Sequence, residues 1–167
     1  MTNSVLKQIL KSILWIWLAI GHAAAHADAA SKHKDEKRAF SIEEKAFGRE
    51  GDPQKITRTI HIGMTDAMRY SPMQIIVKRG QTVRFIAKNS GEVMHEMVLG
   101  TMPELKAHSE LMKQFPDMQH DEPHMVHVKP GKTGHMVWQF TKAGEFYYAC
   151  LMPGHFEAGM IGTVIVK

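Results

Sequence analysis

An internal disulfide is excluded in this chain, because its 167 residues hold a single cysteine, Cys150, and one thiol has no partner. A run long enough for a helical membrane span is not seen either. The short apolar run Ile13–Ile20 (ILWIWLAI) has eight residues, against the roughly 20 that a helical span requires. No strong charge of either sign is present: 21 basic residues face 17 acidic ones, and they are interspersed. Such a small excess argues against a nucleic-acid footprint. No internal repeat is visible, and the length suits one domain with a proper core.

The N-terminus does not read as part of that domain. Lys7 and Lys11 form a basic n-region, Ile13–Ile20 a short h-region, and Ala25-His26-Ala27 a signal-peptidase site. Residues 1–27 are therefore expected to be a signal peptide, with no stable membrane association after its removal. Cleavage takes away two lysines and no acidic residue, so the formal charge falls from +4 to +2. A free thiol in an oxidising compartment is a liability unless it is buried or held by a metal. Residues 28–54 are charged, poor in β-branched residues and end in Gly51-Asp52-Pro53. They read as a flexible arm with a short helical turn around Ile42–Phe47, and Phe40 and Phe47 are candidates for docking on the domain C-terminal to the arm.

From Lys55 the apolar residues alternate with period two. Strands are expected over Ile56–Ile62, Met73–Val77, Thr82–Ala87, Val93–Leu99, Met125–Val128, Thr133–Phe140, Glu145–Ala149 and Gly162–Val166, with turn residues between them. Seven to eight short strands of this kind predict an all-β, antiparallel sandwich or barrel over residues 55–167. One insertion, residues 101–124, breaks the pattern. Thr101-Met102-Pro103-Glu104 has the form of a capping box with proline in the first turn, which predicts a helix over Met102–Phe115.

The chemistry concentrates near the C-terminus. Cys150, His155 and Met160 follow a Cys-x4-His-x4-Met spacing within eleven residues, between two β-prone runs. A thiolate, an imidazole and a thioether on one short loop lack only a second histidine to form a mononuclear copper electron-transfer set. His95, in the expected fourth strand, supplies it. Two alternatives stand beside this reading: four residues that merely pack, and a Cys/His2 zinc site, although zinc sites rarely use methionine.

These residues carry a resemblance. Asn89-x5-His95, Cys150-x4-His155-x4-Met160 and the trailing Gly-x-Val-x-Val strand resemble the cupredoxins, the blue-copper proteins that include azurin and plastocyanin. The resemblance covers about residues 55–167 and implies a cupredoxin-like Greek-key β-sandwich holding one type 1 copper. Carried over, His95, Cys150 and His155 become equatorial ligands and Met160 the axial one. The AFGREGDP, His-Glu-Met-Val-Leu-Gly and ACLMPGHFEAGM stretches look like the periplasmic cupredoxins associated with copper tolerance, which implies a periplasmic location. One departure stands out. The residue after the first histidine is asparagine in azurin and plastocyanin, where it braces the copper loop; here it is Glu96, a candidate second-layer group beside Asn89. Such a change can shift the site from blue towards green. In the family the second histidine reaches the surface through an apolar patch, and Met152, Pro153 and Phe156 are the corresponding electron port here, suited to transient docking of a redox protein.

A second cluster is also present. Met118, His120, His124 and His127 make a candidate second, weaker copper site, with an ordinary solvated loop as the alternative. The expected function is copper binding and electron transfer in copper tolerance; the rival is a dedicated electron carrier between respiratory or reductase partners. Catalysis by the chain alone is not expected, since no second cupredoxin domain accompanies the site, although Cu(I) oxidation together with a partner is compatible with it.

Overall fold

The computed structural model describes residues 41–116, 118 and 121–167. The expected signal peptide, residues 28–40 of the expected arm, and His120 lie outside the described residues. Among the described residues, ten strands form two five-stranded sheets. In chain order they are β1 (Arg49–Glu50), β2 (Arg58–Thr65), β3 (Arg69–Ser71), β4 (Gln74–Val77), β5 (Thr82–Asn89), β6 (His95–Gly100), β7 (Met125–Val128), β8 (Thr133–Gln139), β9 (Gly144–Ala149) and β10 (Ile161–Val166). The one α-helix among the described residues, α1 (Met102–Gln114), lies between β6 and β7. One sheet runs β1-β8-β5-β2-β3 and the other β4-β10-β9-β6-β7.

The period-two pattern has its physical basis in the burial. In β2, Ile60, Ile62 and Met64 point inward, as do Val83, Phe85 and Ala87 in β5 and Val164 and Val166 in β10. These side chains meet Trp138, Phe140 and Tyr148 in one core between the sheets. The sheets are not purely antiparallel, as the strand pattern alone suggested. β2 pairs with β5, and β4 with β10, in parallel. The chain passes from one sheet to the other between β3 and β4 and returns in β5, a crossover that a hairpin cannot make.

β6 departs from alternation in exposure, because all six of its residues are buried. Met97 and Leu99 face the inter-sheet core, while Val98 belongs to a second cluster with Leu105, Met112, Met125, Ala149 and Leu151. The helix therefore roofs the outer face of this sheet. Its N-terminus is closed as expected: Thr101 N–H donates to Glu104 Oε2 (2.9 Å), and Thr101 Oγ1 accepts from Glu104 N–H (3.5 Å).

The described part of the N-terminal arm differs from the expectation. Residues 42–47 form no helical turn; Lys45 and Gly48 close a tight turn, with Lys45 N–H donating to Gly48 O at 2.7 Å. Phe47 is 2% exposed and stacks on Trp138 with ring centroids 5.1 Å apart. The Trp138 indole N–H donates to Phe47 O (3.0 Å), and β1 pairs with β8. Gly48, at φ 118°, fits where a Cβ would stand 2.1 Å from Gln139 O. The core thus begins before residue 55, because burying one aromatic ring outweighs the polarity of its neighbours. β3 is the other strand the pattern did not reveal. It lies just after a hairpin turn with Met68 at φ 57°, and three residues are too few to show a period.

Candidate metal centre

Local structure brings the separated residues together. His95 opens β6, Cys150 directly succeeds β9, and β6 pairs with β9 through Val98–Ala149 and Leu99–Tyr148. One potential ligand atom each from His95, Cys150 and His155 lies within 4.8 Å of the others. The Cys150 sulfur is 3.3 Å from His155 Nδ1, and the two imidazole centroids are 5.1 Å apart. Met160 is fully buried at the end of the same loop. Backbone bonds fix the loop: Cys150 N–H donates to Met160 O (3.1 Å), Met160 N–H to His155 O (3.0 Å), and His155 N–H to Met152 O (2.9 Å). Two outside contacts pin its far side. Arg69 donates to Ala158 O (2.8 Å), and Glu157 takes Lys113 (2.7 Å) and Ser109 (3.1 Å) from α1.

The electrostatics suit a soft cation. His95 is fully buried; its Nε2 is 3.0 Å from Asp66 Oδ1, while its Nδ1 has no hydrogen-bond partner. A buried nitrogen left without a partner is costly, and a metal ion satisfies it. Burial, and next the neighbouring His95, hold the His155 pKa below its ordinary value, keeping that imidazole neutral and free to donate a lone pair. Burial pushes the Cys150 thiol up to about 12, partly opposed by the Glu96 amide, which donates to sulfur at 3.4 Å. A thiol so buried ionises when a metal displaces its proton. Two imidazoles, a thiolate and a thioether form a donor set that fits copper.

Glu96 is fully engaged. It is 1% exposed, with Oε1 accepting from Leu151 N–H (2.7 Å) and Oε2 2.8 Å from His127 Nε2. It thus braces the loop one residue past the cysteine, from the outer face of β6. Asn89 touches the turn rather than the donors: its amide donates to Val93 O (2.8 Å) and Val128 O (2.9 Å) and its oxygen accepts from Gly91 N–H (2.8 Å), so it holds the 89–95 turn against β7. Of the three grouped donors, only His155 is partly exposed; Met152 and Phe156 beside it are half-buried and Pro153 is exposed.

Three members of the second cluster, Met118, His124 and His127, lie among the described residues. Met118 is exposed, and the His124 ring lies against Phe47 and Trp138 while its Nδ1 is 3.3 Å from Glu122. His127 is held by Glu96, which lies opposite it in the β6–β7 register. Among the described residues, His95, Cys150 and His155 are the one group of three or more His, Cys, Asp or Glu side chains with ligand geometry.

Sequence reasoning missed Asp66 and Tyr70. Asp66 sits in the β2–β3 turn, and Tyr70, in β3, donates from its hydroxyl to Glu96 O (2.6 Å). No motif marked either residue, and nothing in sequence joins Asp66 to His95, 29 positions away.

Comparison with known proteins agrees with this geometry. Residues 56–167 match the profile of the copper binding proteins of the plastocyanin/azurin family. The chain belongs to that family. It is 50% identical to the copper-resistant cuproprotein CopI of Rubrivivax gelatinosus over 146 residues, covering 87% of this chain and 83% of that protein. It is 33% identical to CopI of Pseudomonas aeruginosa, covering 73% and 83% respectively. Among solved structures, auracyanin B superposes with a TM-score of 0.60 at 20% identity, over 74% of this chain and 96% of that one, and shares the fold. The protein is thus a copper-binding cupredoxin, and its His-Cys-His group fits a single type 1 site.

Proposed function

We propose that this cupredoxin carries electrons for copper tolerance in the periplasm, with His95, Cys150, His155 and Met160 as the side chains that would hold its copper. The observation that carries the reading is the buried donor group with an unpartnered His95 Nδ1, fixed by paired strands and exposed only at His155. Copper bound there supplies one-electron exchange between Cu(I) and Cu(II). The chain supplies constancy of geometry. β6 and β9 are hydrogen-bonded neighbours, and the loop's own amide bonds leave Cys150, His155 and Met160 little room to rearrange. The half-buried His155 edge, with Met152, Pro153 and Phe156 around it, offers a route outward to a redox partner in transient contact. The His155 edge would be where a partner gives or takes the electron, so the chain would act with another protein rather than as an oxidase alone.

The tolerance role is supported by the 50% and 33% identical relatives, both copper-resistant cuproproteins. Export is supported by the signal-like residues 1–27. Two measurements test the reading. Copper per chain should fall from one in the wild type to near zero in Cys150→Ala; a variant that keeps its copper refutes the ligand set. Deleting the gene should raise copper sensitivity without a respiratory defect. The opposite phenotype would favour a dedicated respiratory or reductase carrier and overturn the tolerance role.

A further inference from the structure

The β2–β3 turn holds a carboxylate that nothing in the ligand set requires. Asp66 Oδ1 lies 3.0 Å from His95 Nε2 and 3.5 Å from the Val93 amide, and Oδ2 accepts from the Glu92 amide at 2.7 Å. Backbone geometry places it in advance. Met68 N–H donates to Thr65 O (3.0 Å) across the turn, and Ser90 N–H donates to Met64 O (2.9 Å), which fastens the 90–94 loop to the end of β2. Gly91 completes the seat, since a Cβ there would stand 1.9 Å from Asp66 Oδ1. A carboxylate gripped by two amides, beside a glycine that leaves it room, has little freedom to leave His95.

We propose that Asp66 is a positioning residue of the copper centre: it holds His95 as the Nε2–H tautomer, presents Nδ1 to the metal, and makes that nitrogen a stronger donor to Cu(II). The proposal rests on reading His95 as a ligand. Its chemistry comes from the acceptor. An ionised carboxylate only accepts hydrogen bonds, so the single proton of a neutral imidazole facing it sits on Nε2. The lone pair is then on Nδ1, the atom that is buried and without a protein partner. The Glu92 and Val93 amides both face the Asp66 carboxylate, which suits an acceptor and not a donor at that position. Negative charge behind an imidazole raises its basicity. That favours the more highly charged oxidised ion over Cu(I) and lowers the reduction potential. Asp66 is 38% exposed, so solvent screens part of the effect.

The test uses the full mature chain with Asp66→Asn, Asp66→Ala and Gly91→Ala, and His95→Ala as a control. Asp66→Asn keeps the shape and an acceptor oxygen but removes the charge; the reduction potential should rise and the thiolate-to-Cu(II) absorption should shift. Asp66→Ala should show both changes and also lose Cu(II) affinity by about 10–100-fold. Gly91→Ala, which displaces the carboxylate by steric contact, should resemble Asp66→Ala. In the metal-free protein, nitrogen NMR of the imidazole rings should find His95 as the Nε2–H form in the wild type and as a tautomer mixture in Asp66→Ala. If the Asp66 variants lower only the denaturation midpoint, leaving potential, absorption and tautomer unchanged, Asp66 merely tethers the turn and the proposal is wrong. If Asp66→Ala does not fold, Asp66→Asn decides by the same criteria. His95→Ala separates the two readings: copper retained with a wild-type spectrum refutes His95 as a ligand, whereas a lost spectrum beside an unshifted Asp66→Asn refutes only the role of Asp66.

Discussion

Replacing Glu96 by alanine should loosen the metal loop by a measurable amount even without copper. The carboxylate is 1% exposed, and its Oε1 accepts the amide of Leu151, a residue with no solvent exposure. Removing the acceptor strands that amide where water does not reach, which costs about 1–3 kcal/mol. His127 loses its 2.8 Å partner on Oε2, but it is 27% exposed and recovers part of that in water. Relief from burying a carboxylate offsets some of the loss. The net expectation for Glu96→Ala is about 2 kcal/mol, or roughly 6–10 °C in Tm for a domain of this size. Glu96→Gln keeps a carbonyl oxygen for Leu151 and should lose less, about 1 kcal/mol. Urea denaturation of the metal-free protein gives both numbers. A Glu96→Ala stability within about 0.5 kcal/mol of wild type, or equal losses in the two variants, would refute the idea that the carboxylate braces the loop through Leu151.

Phe47→Ala should cost about 3–5 kcal/mol by chemical denaturation, because the ring is 2% exposed and stacked on Trp138; a surface-like loss below about 1 kcal/mol would put residues 44–50 outside the folding unit. Copper binding at pH 7 in weak buffer should release close to one proton per ion, read with an indicator dye, because burial holds the Cys150 thiol up at about 12; Cys150→Ala should release none. His124 has a pKa lowered chiefly by burial, so its contribution to stability is full above the ordinary value of 6.5 and is lost as pH falls through its lower folded value. His127, raised chiefly by its bond to Glu96, has the opposite sign: its contribution is full below 6.5 and lost as pH rises through its higher folded value. Denaturation midpoints between about pH 7.5 and 5 should therefore fall less steeply for His124→Phe than for wild type, and more steeply for His127→Phe.

Much of this protein can be read from sequence because its signals are local. Alternation with period two marks half-buried strands wherever four or more residues carry it, and eight of the ten strands are that long. A capping box placed α1, since the bonds that close a helix start lie within four residues. The Cys-x4-His-x4-Met loop could be recognised because three donors sit on one short segment, and His95 because its spacing from Asn89 matches a family pattern. Tertiary structure decided what depends on distance across the fold. Phe47 belongs to the core only because Trp138, 91 residues later, offers a face to stack on. Glu96 is a brace because α1 roofs the outer face of β6 and because register sets His127 opposite. The histidines and methionines of the insertion and of β7 looked equivalent in composition, yet packing turned His124 onto aromatic rings and bound His127 to a carboxylate. Asp66 reaches His95 only through a turn between β2 and β3, and no periodicity or motif records a contact made by one side chain 29 positions away. The donor types were written in the chain; the partners that orient them were chosen by the sandwich.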